Sequence, residues 1–356
     1  TAATMNGLNV NLSGWLLDLL VGLFEGTLKT EFEKAIKDAI ADQVQPLLAD
    51  LLGVLDLNLP FAIPAFLPGG APVTISLRAK PTDVAFVPAQ SMTVLMDATA
   101  HAPPGSPYDT LGTVGYGNCL ASPFVGNSFD FGLLSPLDIG LFDDVVNALL
   151  AAVHEAGVLE MDLGPDVIAP EDLASFGITE MNAHVSGLLP PAATACTTTP
   201  SMEGVPGALA IEIGDLGIDA TFQMNGMPVA IEMYASLIGA ASFSVETDAD
   251  GITQVGVKIL GFDQIETDLV RVESDDPTTK ELISSLIGST MVPLLLDQLD
   301  LGNALSFPLP ALDLSNPEAG IPEGTALEII PEAIARTANA NTLIKASVRQ
   351  ATPALP

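Results

Sequence analysis

Three histidines, two cysteines and scattered acidic residues are the side chains with which this sequence could do chemistry. His101, His154 and His184 stand apart, and none has a second His or a Cys at metal-pair spacing; HExxH and CxxC are absent. GxSxG, P-loop and GxGxxG patterns are absent too, so neither a nucleophile elbow nor a phosphate cradle is encoded. His154 lies beside Glu155 in a helical pattern and reads as a solvated or capping residue. The DADG run Asp248–Gly251 has the acids of a calcium loop, but no Glu closes it at the right distance, and it reads as a hairpin turn. Asp143/Asp144 and Asp275/Asp276 precede helical segments, where carboxylates complement the helix dipole. Cys119 and Cys196 sit in loop-like surroundings, either as one bridge in an oxidising compartment or as two unrelated thiols. These residues point to no enzyme, no metal and no cofactor.

Composition narrows the partners. Of 356 residues 48% are hydrophobic, which excludes a disordered chain, and 11 Lys+Arg against 44 Asp+Glu give a net charge of −33. That charge opposes nucleic acid and charge-driven docking on anionic lipid. It fits solubility or salt adaptation, or else a cationic partner. Asp18, Glu25 and Asp50 interrupt the best apolar runs, so no segment reaches the roughly 18 to 20 residues of a membrane-spanning helix. The opening TAATMNGLNV has no signal-peptide pattern, as expected of a cytosolic chain or of a mature or trimmed one.

The elements that must position any site are legible as periodicities. Leu16, Leu20, Phe24, Leu28, Phe32, Ile36, Ile40, Val44, Leu48 and Leu52 recur every fourth residue, predicting a long amphipathic helix over 13–55 with Gly26 and Pro46 loosening it. At about 1.5 Å per residue it would run roughly 60 Å. Strands are expected at Val73/Ile75/Leu77, Val84/Phe86 and Met92/Val94/Met96, then a Gly/Pro-rich connection over 102–140 with a boundary near Pro136. The second half opens with a short helix, whose apolar side carries Val145, Leu149, Ala152 and Val153, and Gly157 is its expected C′ residue. Strands follow at Leu209–Ile213, Ile218–Met224, Val229–Met233, Phe243/Val245 and Val255–Ile259. A second amphipathic helix is predicted over 277–299, with Leu282, Leu286, Met291, Leu294 and Leu295 inward, before a last strand pair at Ala326–Ile330 and Leu343–Val348. Phe61–Ala65 and Phe307–Ala311 match at an offset that also superposes Ile36 on Leu282, the mark of a pseudo-repeat.

Three stretches together resemble the bactericidal/permeability-increasing protein family of the tubular lipid-binding superfamily. They are NVNLSGWLLDLLVGLFEGTLKTEFEKAIKDAIADQVQPLLADLL, LFDDVVNALLAAVHEAGVLEMDL, and MVPLLLDQLDLGNALSFPLPALDL. The resemblance implies an α+β fold: an elongated boomerang of two units, each a long helix in a curved antiparallel sheet or barrel, joined by a central sheet. Residues 1–135 would hold the latter part of the first unit plus the connection, and 136–356 the second. The first unit lacks its usual upstream elements, so a separate chain or cleaved segment is expected to complete it. Lipid tails would lie between helix and sheet, against Leu16, Leu20, Phe24 and Leu28 in one pocket. The other would be lined by Leu282, Leu286, Met291 and Leu295, facing Phe222, Met224, Ile231 and Met233. The family's basic endotoxin-binding tip has no counterpart, because Lys29, Lys34 and Lys37 alternate with Glu31, Glu33 and Asp38.

The expected function is non-enzymatic binding or transfer of a phospholipid, fatty acid or sterol, in an extracellular or periplasmic setting. The alternative is a structural or protein-interaction module whose pockets are filled by side chains. A lipid esterase lacks a nucleophile–base pair.

Overall fold

A computed structural model describes residues 55–63, 72–87, 91–108, 137–165, 176–194, 199–205, 208–247, 253–274, 305–309, 312–313, 325–337 and 341–350, with Lys34, Ala35, Gly53, Leu173, Ala174 and Ile283 as further isolated positions. Strands make up 70% of what is described and helix 12%. This corrects the expected α+β class. The described residues form antiparallel sheets with one α-helix, and no sheet closes into a barrel. The predicted helices over 13–55 and 277–299 lie outside the described residues except at isolated positions, so the long helices on curved sheets are not what organises this part of the chain.

Strands β1 (Leu57–Ile63), β2 (Val73–Val87) and β3 (Ser91–His101) form a three-stranded meander. Two of the expected short strands, Val73–Leu77 and Val84/Phe86, are one continuous β2, which absorbs the interruption at Pro81–Asp83 as a shift of register against β3. Then come β4 (Leu137–Phe142) and helix α1 (Asp143–Glu155), followed by β5 (Met161–Leu163), β6 (Ile178–Gly187) and β7 (Ala192–Thr194).

The largest sheet is built on three long strands, β8 (Ala208–Met224), β9 (Met227–Thr247) and β10 (Thr253–Glu273). The five short strands expected here merge into these three, because bulges at Ile213/Leu216, Ile259/Gly261, Phe262/Gln264 and Leu269/Arg271 accommodate residues that otherwise end a strand. β8 and β9 are joined by Asn225-Gly226, both at positive φ (52° and 81°), the two-residue turn whose twist matches a hairpin. The acidic turn Asp248–Gly251 falls between the paired strands β9 and β10, where a connection is required, and its residues lie outside the described ones. The strand order is β11-β10-β9-β8-β6-β5, with β7 also on β8 and β11 being Leu305–Pro308. A third sheet, ordered β12-β13-β14-β4, uses β12 (Leu312–Asp313), β13 (Ala326–Thr337) and β14 (Asn341–Gln350).

Helix α1 ties these sheets together. Val146 and Leu150 pack into a cluster shared by the third sheet (Ile139, Ile344) and the long strands (Leu209, Phe243, Val255). Ala152 and Val153 pack instead on Ile63 and Ile75 of the meander. Three of its polar residues, Asp143, Asn147 and His154, are buried too. Asp143 is fully buried and forms a bidentate ion pair with Arg336 of β13 (2.5 and 2.8 Å), whose guanidinium also donates to Thr342 Oγ1. Asn147 completes the ladder of β7, donating to Ala193 O and accepting from Ala193 N at 2.6 Å. His154, expected to be solvated or capping, is 1% exposed with Nε2 2.7 Å from Gly187 O. The reading failed because the helix is covered on both sides, which a one-sided apolar stripe does not announce. The helix ends as expected at Gly157, φ 73°, with Gly157 N–H on His154 O and Val158 N–H on Val153 O. Gly105 approaches so closely that a Cβ on it would stand 2.3 Å from Ala156 O, and this contact lets Gly105 and Ser106 N–H groups reach Glu155 O.

Candidate functional site

The site with most support in the sequence is the apolar face of β8 and β9. In β8 Ile218, Ala220, Phe222 and Met224 are buried while Asp219 and Thr221 between them are exposed. In β9 Val229, Ile231, Met233 and Ala235 repeat the pattern. The register places Ile218 opposite Met233, Ala220 opposite Ile231 and Phe222 opposite Val229, so the four described site residues share one face. Phe222, Met224 and Ile231 are 3% exposed and Met233 is 2% exposed.

Around them gathers a cluster that strand alternation alone did not reveal. Met161 of β5 and Met181 of β6 join Met224 and Met233, bringing four methionines from four strands into one buried cluster. Met181 reaches it through a bulge: Glu180 takes a left-handed conformation (φ 55°), turning Met181 inward two residues before Ala183 resumes the alternation. Leu173, Phe176 and Ile283 also pack into the cluster. The partners expected from the helix over 277–299, Leu282, Leu286, Met291 and Leu295, lie outside the described residues, as do Leu16, Leu20, Phe24 and Leu28 of the other expected pocket. Ile283, fully buried, is the residue through which that segment is seen to meet the sheet. Cys119 and Cys196 also lie outside the described residues.

Two other groupings carry titratable side chains, one at His184 and one at Asp263. His184 on β6 faces carboxylates with both ring nitrogens: Nδ1 is 2.8 Å from Asp162 Oδ1 and Nε2 is 3.7 Å from Glu160 Oε2. Asp263 on β10 accepts from Ser201 Oγ (2.9 Å) and Ser201 N. Desolvation raises its carboxyl pKa, but the hydrogen bonds from the Ser201 hydroxyl and N–H, with the Thr199 hydroxyl close by, outweigh this and hold it below the usual range. That arrangement staples the 3-10 turn Pro200–Met202 to the sheet. Among the described residues no group of three or more His, Cys, Asp or Glu is placed to hold a metal ion, and no helix is long and apolar enough to cross a membrane. An open cleft of about 570 Å3 at the β2 bulge is lined by Gly53, Asp56, Lys80, Pro81, Thr82, Asp83 and Val84 and shares no residue with the apolar face of β8 and β9.

Comparison with known proteins finds no matching family model and no matching curated protein.

Proposed function

We propose that this protein is a non-enzymatic binder of an apolar chain, an acyl or sterol-like lipid, held against the inner face of β8 and β9. The observation that carries the reading is the gathering of Met161, Met181, Met224 and Met233 with Phe222 in one cluster. Methionine side chains are unbranched and polarizable, so such a cluster can repack around an inserted chain where Val or Ile would resist. Each acyl methylene buried there contributes about 0.8 kcal/mol, which requires apolar lining and no charged partner. The acidic surface would keep headgroups of anionic membranes at a distance, leaving transfer to apolar insertion or to a partner protein.

A second reading is a structural or interaction module. It is favoured by the 2–3% exposure of the expected lining, which is already packed by side chains.

Native mass spectrometry of the purified protein, with lipid extraction from the same sample, separates the two. The binder shows discrete added masses released by organic solvent, or takes up fatty acid, phospholipid or sterol offered in excess. Replacing Met181, Met224 and Met233 by leucine keeps volume but stiffens the cluster, and is expected to lower uptake without changing the fold. An apo mass together with no uptake of any of the three lipid classes leaves the module.

A further inference from the structure

The turn between β8 and β9 is built from a residue pair with covalent chemistry of its own. Asn-Gly occurs as Asn6-Gly7, outside the described residues, and as Asn225-Gly226. Asn225 and Gly226 are both exposed. A Cβ built on Gly226 would meet nothing within 4 Å among the described residues, so the peptide after Asn225 has room to turn. Asn225 also clasps a second segment. Its N–H donates to Gly177 O at 2.9 Å, and its Oδ1 lies so near Gly177 that a Cβ there would stand 2.3 Å from it. Gly177, at φ 70°, leads directly into β6. Met224 and Met227 flank the turn as the last pair of the β8–β9 ladder, and Met224 belongs to the methionine cluster.

An asparagine amide carbon lies within five-membered-ring reach of the next residue's nitrogen, and glycine there offers no side chain to block the approach. The deprotonated Gly226 nitrogen bonds to Asn225 Cγ, the bond from Cγ to the amide nitrogen breaks, and ammonia leaves after taking up a proton. Water then opens the cyclic imide at one of its two carbonyl carbons. Breaking the bond between Gly226 N and Cγ leaves aspartate. Breaking the bond between Gly226 N and the main-chain carbonyl carbon of residue 225 leaves isoaspartate, whose main chain runs through Cβ and Cγ. The second product lengthens by one atom a two-residue turn that fixes the register of its hairpin. We infer that Asn225 is a self-modification site, whose conversion to isoaspartate releases the clasp on Gly177 and loosens the Met224/Met227 end of the hairpin.

The test ages the full folded chain in buffer, with a urea-unfolded sample alongside, and follows each asparagine by peptide mass mapping. Asn225 is expected to convert while Asn58 and Asn182, exposed in strands and followed by Leu59 and Ala183, keep their amides. The conversion should speed as pH rises, because the attacking nitrogen must lose its proton. Amide hydrogen exchange of the aged chain should quicken at Gly177, Met224 and Met227. The Asn225→Gly variant keeps a pair suited to the same turn but has no amide to lose, and its exchange should be unchanged by ageing. An intact Asn225 when the unfolded chain has converted would overturn the proposal. So would conversion no faster than at Asn58 and Asn182, unaltered exchange in the converted chain, or equal loosening of the aged Asn225→Gly variant.

Discussion

In β3 Val94, Met96 and Ala98 alternate with exposed Thr93, Leu95 and Asp97, and in β9 Ile231, Met233 and Ala235 alternate with Glu232 and Tyr234. The two patterns are equivalent as sequence. In the structure the β3 residues are half-buried and the β9 residues are sealed. The meander is fully covered only at the end where Ile63 and Ile75 meet α1, whereas the face of β8 and β9 is packed along its length by Leu173, Phe176, Ile283 and the partly buried residues of β10. Alternation thus states which face is apolar; what lies over that face decides how much of it leaves water.

This contrast can be broken by charge. Met233→Asp places a carboxylate in the sealed cluster and is expected to cost on the order of 5 kcal/mol, enough to abolish cooperative unfolding in denaturant titrations. Met96→Asp, on the half-buried face, should cost about 1 kcal/mol; equal losses would show that the two faces are sealed alike.

Helix α1 serves both regions, so its anchors sharpen the comparison. Asp143→Ala leaves Arg336 buried without its partner and is expected to lose about 3–5 kcal/mol, measured by urea unfolding. Asn147→Ala strips the backbone N–H and C=O of Ala193 of their partners, for a smaller loss of about 1–3 kcal/mol, with faster amide exchange at β7 as its local sign.

The smallest effect is on pH dependence. The folded carboxyl of Asp263 sits below the usual range, so its contribution is fully present above the unfolded value of about 3.9 and is lost as pH falls through the folded one. Asp263→Asn should flatten that part of the acid limb in melting temperature against pH; an unchanged limb would mean that the staple to Ser201 does not contribute.

Part of this architecture could be read directly. The apolar face of β8 and β9, the strand character of β2, β3, β13 and β14, and the Gly157 helix stop all follow from periodicity or from a glycine whose φ is positive. Strand lengths could not, since glycines that suggest breaks, Gly214 and Gly261, become irregularities within strands of 17 and 21 residues. Asn225-Gly226 was a stronger hairpin signal than the acidic turn after β9, and it alone identifies β8 and β9 as neighbours. The α+β class came with the family resemblance, whose long helices correspond to the two amphipathic patterns over 13–55 and 277–299. Where the chain is described, the apolar residues are instead organised by antiparallel pairing, which the four-residue period does not encode.

The sequence by itself determined the charge, the absence of catalytic motifs and the side of each strand that seeks burial, because these depend on residue identity and a period of two. Only the tertiary structure decided that four methionines distant in sequence meet and that His154, Asn147 and Asp143 are buried on a helix covered from both sides. Those outcomes depend on which strands pair and in what register, and pairing is a property of the whole chain.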